Sequence, residues 1–328
     1  RSLGRPWKFT CLASLWPMRI QINNRDPRRG EDGEIIDLHD GNLEFFDGRF
    51  YWYGTAYGQT DGFGNTNAFH AYSSVDLSRW THHGVILPEH PAGVYYRPYV
   101  KHCPATGLYV LWYNWYPALW SGQYAAAVSH HPEGPFQIVH EHVPVRYEQT
   151  GDLGLFVDDD GAGYLIYTSL AQDHGVSIER LQPDFCLSTL EGSPVLSRGD
   201  EAPTLFRRGG IYYALFDSCC CFCPAGSGAK VYTAPAPLGP YTLGSNINRQ
   251  TNPCGTVPII NAQQTHVARF PTKEGPIYVW MGDRWGSRPD GVKGHDSQFW
   301  SAPLKFNADH SIEPLQWINE WSCEIQGT

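Results

Sequence analysis

One hairpin pattern occurs five times along the chain. It reads "DGNLEFFDGRFYWYG" from Asp40, "RPYVKHCPATGLYVLWYN" from Arg97, "DLGLFVDDDGAGYLIYTS" from Asp152, "EAPTLFRRGGIYYALFDS" from Glu201 and "QQTHVARFPTKEGPIYVWMGD" from Gln263, with starts 57, 55, 49 and 62 residues apart. Each copy has a polar residue, an apolar-rich strand, a turn on Gly, Asp or Pro, and a second strand rich in Tyr, Trp, Val and Leu. A period near fifty residues with several strands per unit marks a β-propeller, whose blades are four-stranded sheets with their innermost strands around a channel. The expected fold is all-β: a single five-bladed propeller over residues 1–328, the two termini completing one blade between them.

Composition agrees with this. The 34 Gly, 25 Pro, 14 % aromatic and 17 % charged residues suit short strands and tight turns rather than long helices. A net charge of -9 is spread along the chain and leaves no basic stripe for a phosphate backbone or an anionic membrane. Neither nucleic acid nor a membrane is an expected partner. The segment "FTCLASLW" (9–16) falls short of the roughly 18 apolar residues that span a bilayer and reads as an early strand. Of nine cysteines, four lie in "DSCCCFCPAG" (217–226). With no second C-x-x-C pair elsewhere, one or two disulfides are expected there rather than a thiolate metal site. Disulfides suit a secreted or extracytoplasmic protein.

In a propeller the first strand of each blade lines the channel, so its opening residue sits at one mouth. Asp40, Arg97, Asp152, Glu201 and Gln263 (or Gln264) are therefore expected to face one another there. The second strands run back antiparallel and end beside them, which adds Tyr57, Asn114, Trp115, Ser169, Ser218, Asp283, Arg284 and Trp285 to the rim. One such Asp could merely cap a turn. Three carboxylates in the same register of three blades place like charges together, a costly arrangement that points to useful proton chemistry. Two carboxyls held apart in an aromatic pocket are what glycoside hydrolysis requires, one as acid and one as base. His39 could orient a sugar hydroxyl or cap its strand. His266 reads as a core histidine, although a water or ion could sit beside it in the channel. "DDDG" (158–161) falls at the far end of its hairpin and reads as a solvated turn rather than a calcium site. "RDP" (25–27) reads as a loop.

These residues resemble glycoside hydrolase family 43, five-bladed propellers that cleave sugars from polysaccharides with inversion. "FVDDDGAGYLIYTS", "EAPTLFRRGGIYYALFDS" and "YVWMGDRW" look especially close to it. The resemblance implies Asp40 as general base, Asp152 as the residue that tunes and orients the acid, and Glu201, in "EAP", as general acid. Arg97, His39, Tyr57, Trp115, Ser218, Gln263 and Trp285 would contact substrate, a polysaccharide or oligosaccharide. No cofactor is required, though a structural calcium or other ion could occupy the channel; a monomer is expected. In the branch that cleaves β-1,3-galactan the base position is typically Gly, a fifth-blade Gln takes over the water site, and a Glu precedes the Arg-Pro of blade two. Here Asp40 is present and Tyr96 stands before Arg97. Those departures point to release of a terminal α-L-arabinofuranosyl or β-D-galactofuranosyl unit, with an exo-β-1,3-galactanase and a catalytically inactive carbohydrate-binding propeller as alternatives.

Overall fold

The computed structural model describes residues 17–60, 62, 64–118, 120–218 and 226–326. The segment 9–16 and the cysteines 219–223 lie outside the described residues. Four sheets of four strands and one of three follow one another along the chain. Blade I holds Leu43–Phe46, Arg49–Ala56, Ala68–Ser74 and Thr81–Val85. Blade II holds Val94–Cys103, Leu108–Tyr116, Gln123–Ser129 and Gln137–Val143. Blade III holds Thr150–Val157, Gly163–Ser169, Gly175–Leu181 and Ser188–Gly192. Blade IV holds Asp200–Arg208, Ile211–Ser218, Lys230–Ala234 and Thr242–Asn246, and blade V Gln263–Phe270, Ile277–Asp283 and Gln298–Trp300. All ladders are antiparallel and each blade is a meander, so the five-bladed propeller read from the repeats is the architecture found.

Burial explains why the strands are apolar on both faces. Each core cluster lies between two adjacent blades. Phe69, Tyr95 and Tyr113 fill the seam between blades I and II, and Tyr99, Trp112 and Leu153 that between II and III. Ile166 and Tyr212 pack between III and IV, and Tyr213, Trp280 and Phe299 between IV and V. A strand covered on both faces reads as a continuous apolar run rather than an alternation; "LYVLWYNWY" and "GYLIYTS" do so. The turn "DDDG" is only partly solvated. Asp159 and Asp160 are exposed as expected, but Asp158 is buried and ties the III–IV seam, accepting from Arg207 Nη1 (2.9 Å) and the Tyr212 hydroxyl (2.5 Å).

Closure of the ring differs from expectation. Pro17–Asn23 and Glu320–Gln326 pair with each other in a separate two-stranded ribbon, not as a fourth strand of blade V. Ile20, Ile22 and Ile325 of this ribbon pack with Trp52 and Trp80 of blade I and Met281 and Trp300 of blade V. The join to blade V combines a backbone hydrogen bond, from the Gln326 amide to the Pro271 carbonyl (2.9 Å), with side-chain bonds. Asn24 donates from Nδ2 to the carbonyls of Trp300 (3.0 Å) and Ile318 (2.9 Å) and accepts the Trp300 amide at Oδ1 (3.0 Å). A side-chain amide thus mimics a strand edge, while the backbone N–H of Asn24 donates to the Asn319 carbonyl (2.7 Å).

Every blade also carries a one-residue slip at the same end. In blade I, Phe46 through Leu43 pair with Arg49 through Trp52, but the bridge His39–Thr55 is one residue out of that register. The same shift separates Tyr99 from Tyr96, Leu153 from Thr150, Thr204 from Glu201 and His266 from Gln264. Such bulges bend a strand and re-aim its side chains. Asp40, Arg97 and Ala202 accordingly hold left-handed backbone, with φ of 54°, 52° and 52°.

Because Asn24 makes three buried hydrogen bonds across the ring closure, Asn24→Ala should cost about 2–4 kcal/mol of stability. Urea unfolding should show a lower midpoint with an unchanged slope.

Candidate active site

The bulged ends of the first strands bring the expected residues together. Arg97, fully buried, is the hub: Nε and Nη2 make a bidentate pair with Asp152 (3.0 Å each) and Nη1 donates to the Gln264 carbonyl (3.3 Å). Burial opposes the guanidinium charge, yet Asp152 and Asp40 hold its pKa well above the ordinary value. Asp152 Oδ2 also accepts the amide of Ala202 (3.0 Å), the residue after Glu201. One carboxylate therefore fixes the backbone that carries Glu201.

Asp40 is buried on the blade I wall. Thr55 donates to Oδ1 (2.7 Å) and the Tyr57 hydroxyl to Oδ2 (2.5 Å). Burial raises its pKa to about 6 against the pull of Arg97 and the Tyr57 hydrogen bond, with Asp283 adding to the rise. Asp283 accepts the Asp40 amide (2.6 Å) and faces His39 Nδ1 (3.3 Å). Across the mouth, Gln263 donates from Nε2 to Glu201 Oε1 (3.4 Å) and accepts the Trp285 indole N–H (2.8 Å). The half-buried Glu201 lies on blade IV, which does not adjoin blade I in the ring.

Aromatic rings form an arc along one side. Trp285 meets Tyr57 edge-on at 5.5 Å, Tyr57 lies 6.1 Å from Tyr96, and Tyr96 meets Tyr116 at 5.8 Å. The ammonium of Lys293 sits 3.4 Å from the centroid of the Trp285 ring and 3.7 Å from Asp296. Tyr57, Gln263 and Trp285 are thus where the repeats predict, and Tyr96 is a wall residue rather than a mere departure.

Three expectations need correction. Trp115 is not at the mouth: it is buried, stacks on Tyr95 (5.7 Å) and donates to the Glu141 carbonyl (3.0 Å) in the I–II seam. An unbroken ladder would set Trp115 opposite Tyr96; the bulge sets it opposite Tyr95. For the same reason Ser218 stands opposite Asp200, and it is Asp217 that stands opposite Glu201. His39 has no ring nitrogen left for a sugar hydroxyl, since it is buried between Asp283 and the Gly294 carbonyl (3.0 Å from Nε2). Burial would lower its pKa, but Asp283, Asp37 and that carbonyl outweigh burial and raise it to about 9. Asp217 escaped the sequence reading altogether; counting back from the Gly209-Gly210 turn with one bulge residue would have found it.

His266 lies in the channel as a buried histidine, Nε2 3.5 Å from Glu44 Oε1. Lys101 Nζ is 2.6 Å from the same oxygen. A cation on the Nε2 side of His266 would meet that ammonium, whereas Nδ1 is buried with no hydrogen-bond partner among the described residues. Among the described residues no group of three or more His, Cys, Asp and Glu is placed to hold one. No helix is long and apolar enough to cross a membrane.

The raised pKa of His39 links it to stability. A group held above its unfolded value contributes fully below pH 6.5 and loses that contribution as pH rises through about 9. The imidazole should therefore titrate near pH 9 by NMR, with stability falling over that window. In Asp283→Asn the titration should move below 7 and the pH dependence of stability should flatten.

The family model for glycosyl hydrolases family 43 matches residues 35–312. Among solved structures, a family 43 β-1,3-galactosidase superposes with a TM-score of 0.78 at 24% identity, covering 92% of this chain and 63% of that one, so the chain spans less than two thirds of that relative. An exo-β-1,3-galactanase from Clostridium thermocellum gives 0.79 at 26% identity, covering 94% of this chain and 67% of the other. One from Phanerochaete chrysosporium, solved with β-1,3-galactotriose, gives 0.78 at 22%, covering 92% and 68%. No curated protein sequence matches the chain. With most of its length matched by the family model, on a five-bladed propeller, the chain belongs to glycosyl hydrolases family 43.

Proposed function

We propose that the chain is an exo-acting, inverting glycosidase that releases terminal galactosyl units from β-1,3-linked galactan, working as a monomer outside the cytoplasm. The observation that carries the chemistry is the pair of carboxyls on non-adjacent blades: Asp40, raised to about pH 6 by burial, and Glu201, whose backbone is pinned by Asp152. Asp40 would take the proton of an attacking water. Its two oxygens each accept one hydrogen bond from the protein and keep lone pairs for that water. Glu201 would protonate the leaving oxygen from the other side. Gln263, bonded to Glu201 and Trp285, would orient the water or the sugar between them. Trp285, Tyr57 and Tyr96 would supply the apolar face for the ring. The substrate is supported by the likeness to exo-β-1,3-galactanases, one of them 26% identical over 94% of the chain.

A second reading, release of a terminal arabinofuranosyl or galactofuranosyl unit, is favoured by the carboxylate at position 40 and the tyrosine at 96. The two readings part on substrate and share their acid. Incubation with β-1,3-galactan, arabinan and a furanoside panel, followed by proton NMR of the anomeric region, decides between them. Galactose from β-1,3-galactan should appear first as the α-anomer. Glu201→Gln should lower kcat by about 10²–10⁴. Release from the furanosides alone would overturn the substrate, and full activity in Glu201→Gln would overturn the acid.

If Asp40 is the base it must be ionised, so kcat/KM should fall on the acid side through about pH 6. Asp40→Asn should remove that limb along with most activity. An Asp40→Asn enzyme that keeps its rate while Gln263→Ala loses it would move the water site to Gln263.

A further inference from the structure

Two aspartates occupy equivalent places in blades IV and V. Asp217 stands opposite Glu201 and Asp283 opposite Gln263, each on the second strand just inside the bulge. Each accepts the backbone amide of a residue at the start of the next blade: Asp217 Oδ2 from Gln264 (3.0 Å), Asp283 Oδ2 from Asp40 (2.6 Å). Their second oxygens differ. Asp283 Oδ1 faces the cationic His39, whereas Asp217 Oδ1 is buried with no hydrogen-bond partner among the described residues. An ionised carboxylate fully out of water with one oxygen unmatched would be costly. Its cross-strand neighbour on the same face of the sheet is Glu201.

Resting on the assignment of Glu201 as acid, we propose that Asp217 is a neutral carboxylic acid and a positioning residue of the proton donor, its Oδ1–H donating to the Glu201 carboxylate formed as the leaving group takes its proton. Asp217 keeps its own proton throughout. Glu201 loses one to the leaving oxygen and regains one from solvent. The hydrogen bond is strongest when Glu201 is charged, so it favours the transition state over the ground state. The charged groups around Asp217 are Glu201, Asp152, Arg97 and Arg249. Burial, with Glu201 and Asp152, holds the Asp217 pKa well above the carboxylate range, against the Gln264 amide and Arg97.

An asparagine can reproduce a neutral aspartic acid here, with its oxygen accepting from the Gln264 amide and its N–H donating to Glu201. An alanine can do neither. Asp217→Asn should therefore keep kcat, KM and both limbs of the pH profile close to wild type. Asp217→Ala should lower kcat roughly ten- to a hundredfold with little change in KM, and should move the alkaline limb upward, because the Glu201 carboxylate loses a donor worth about 1.5–3 kcal/mol. Infrared difference spectra at pH 7 without substrate should show a protonated-carboxyl carbonyl band that Asp217→Asn lacks. An alkaline limb that moves downward in Asp217→Asn would mean that the native residue is charged and would overturn the proposal. So would a folded Asp217→Ala enzyme with wild-type kcat and limb. If Asp217→Ala does not fold, the infrared band and the Asp217→Asn profile decide. The band is independent of turnover, so full activity in Glu201→Gln would sink the acid assignment while leaving the protonation of Asp217 separately readable.

Discussion

A one-residue bulge at the mouth end of every blade is the constraint on which the site depends. Without it the innermost strands would run straight and their opening residues would alternate between seam and channel. The bulge turns one backbone position into left-handed geometry at Asp40, Arg97 and Ala202, at a cost on the order of 1–3 kcal/mol for each. At Asp40 and Ala202 that cost is offset by a hydrogen bond from the strained segment to a carboxylate of another blade. Asp283 holds the Asp40 amide and Asp152 holds the Ala202 amide. The same carboxylates that give the mouth its chemistry hold it in shape.

Charge balance follows from this arrangement. Five carboxyls, those of Asp40, Asp152, Glu201, Asp217 and Asp283, converge around the buried cations Arg97 and His39, with Arg249 near Asp217. Both cations are buried and both are already committed, Arg97 to Asp152 and His39 to Asp283. Burial pushes the pKa of Asp40 and of Asp217 upward, so the surroundings of each acid set which of them holds a proton. A propeller mouth lined by first-strand openings in this way separates its acids by environment rather than by sequence neighbourhood.

The repeats made the architecture legible because a blade needs a polar opening, a turn and an aromatic return strand, and all three leave marks in composition. Asp40, Arg97, Asp152, Glu201 and Gln263 were legible for the same reason, each being the polar residue that opens a copy. Residues on the return strands were harder. Ser218 and Trp115 follow from an unbroken ladder, and the slip of one residue sets Asp217 opposite Glu201 and Asn114 opposite Tyr96 in their places. A bulge has no composition of its own. His39 and the terminal ribbon were obscure for a different reason: the partners that define them, Asp283, Gly294 and Trp300, come from the other end of the chain.

The terminal ribbon has a consequence for how the molecule is made. Residues 17–23 emerge early in synthesis and residues 320–326 late, yet among the described residues each is the other's only strand partner. Blades I to IV can form and stack in order as they leave the ribosome, since each seam joins consecutive segments. Until the last strand is released, Ile325 is missing from the cluster that covers Trp52, Trp80 and Trp300, and the strand carrying Ile20 and Ile22 lacks its ladder partner. The growing chain is thus an open arc with one apolar end exposed, and the circle closes only once translation has passed the final strand.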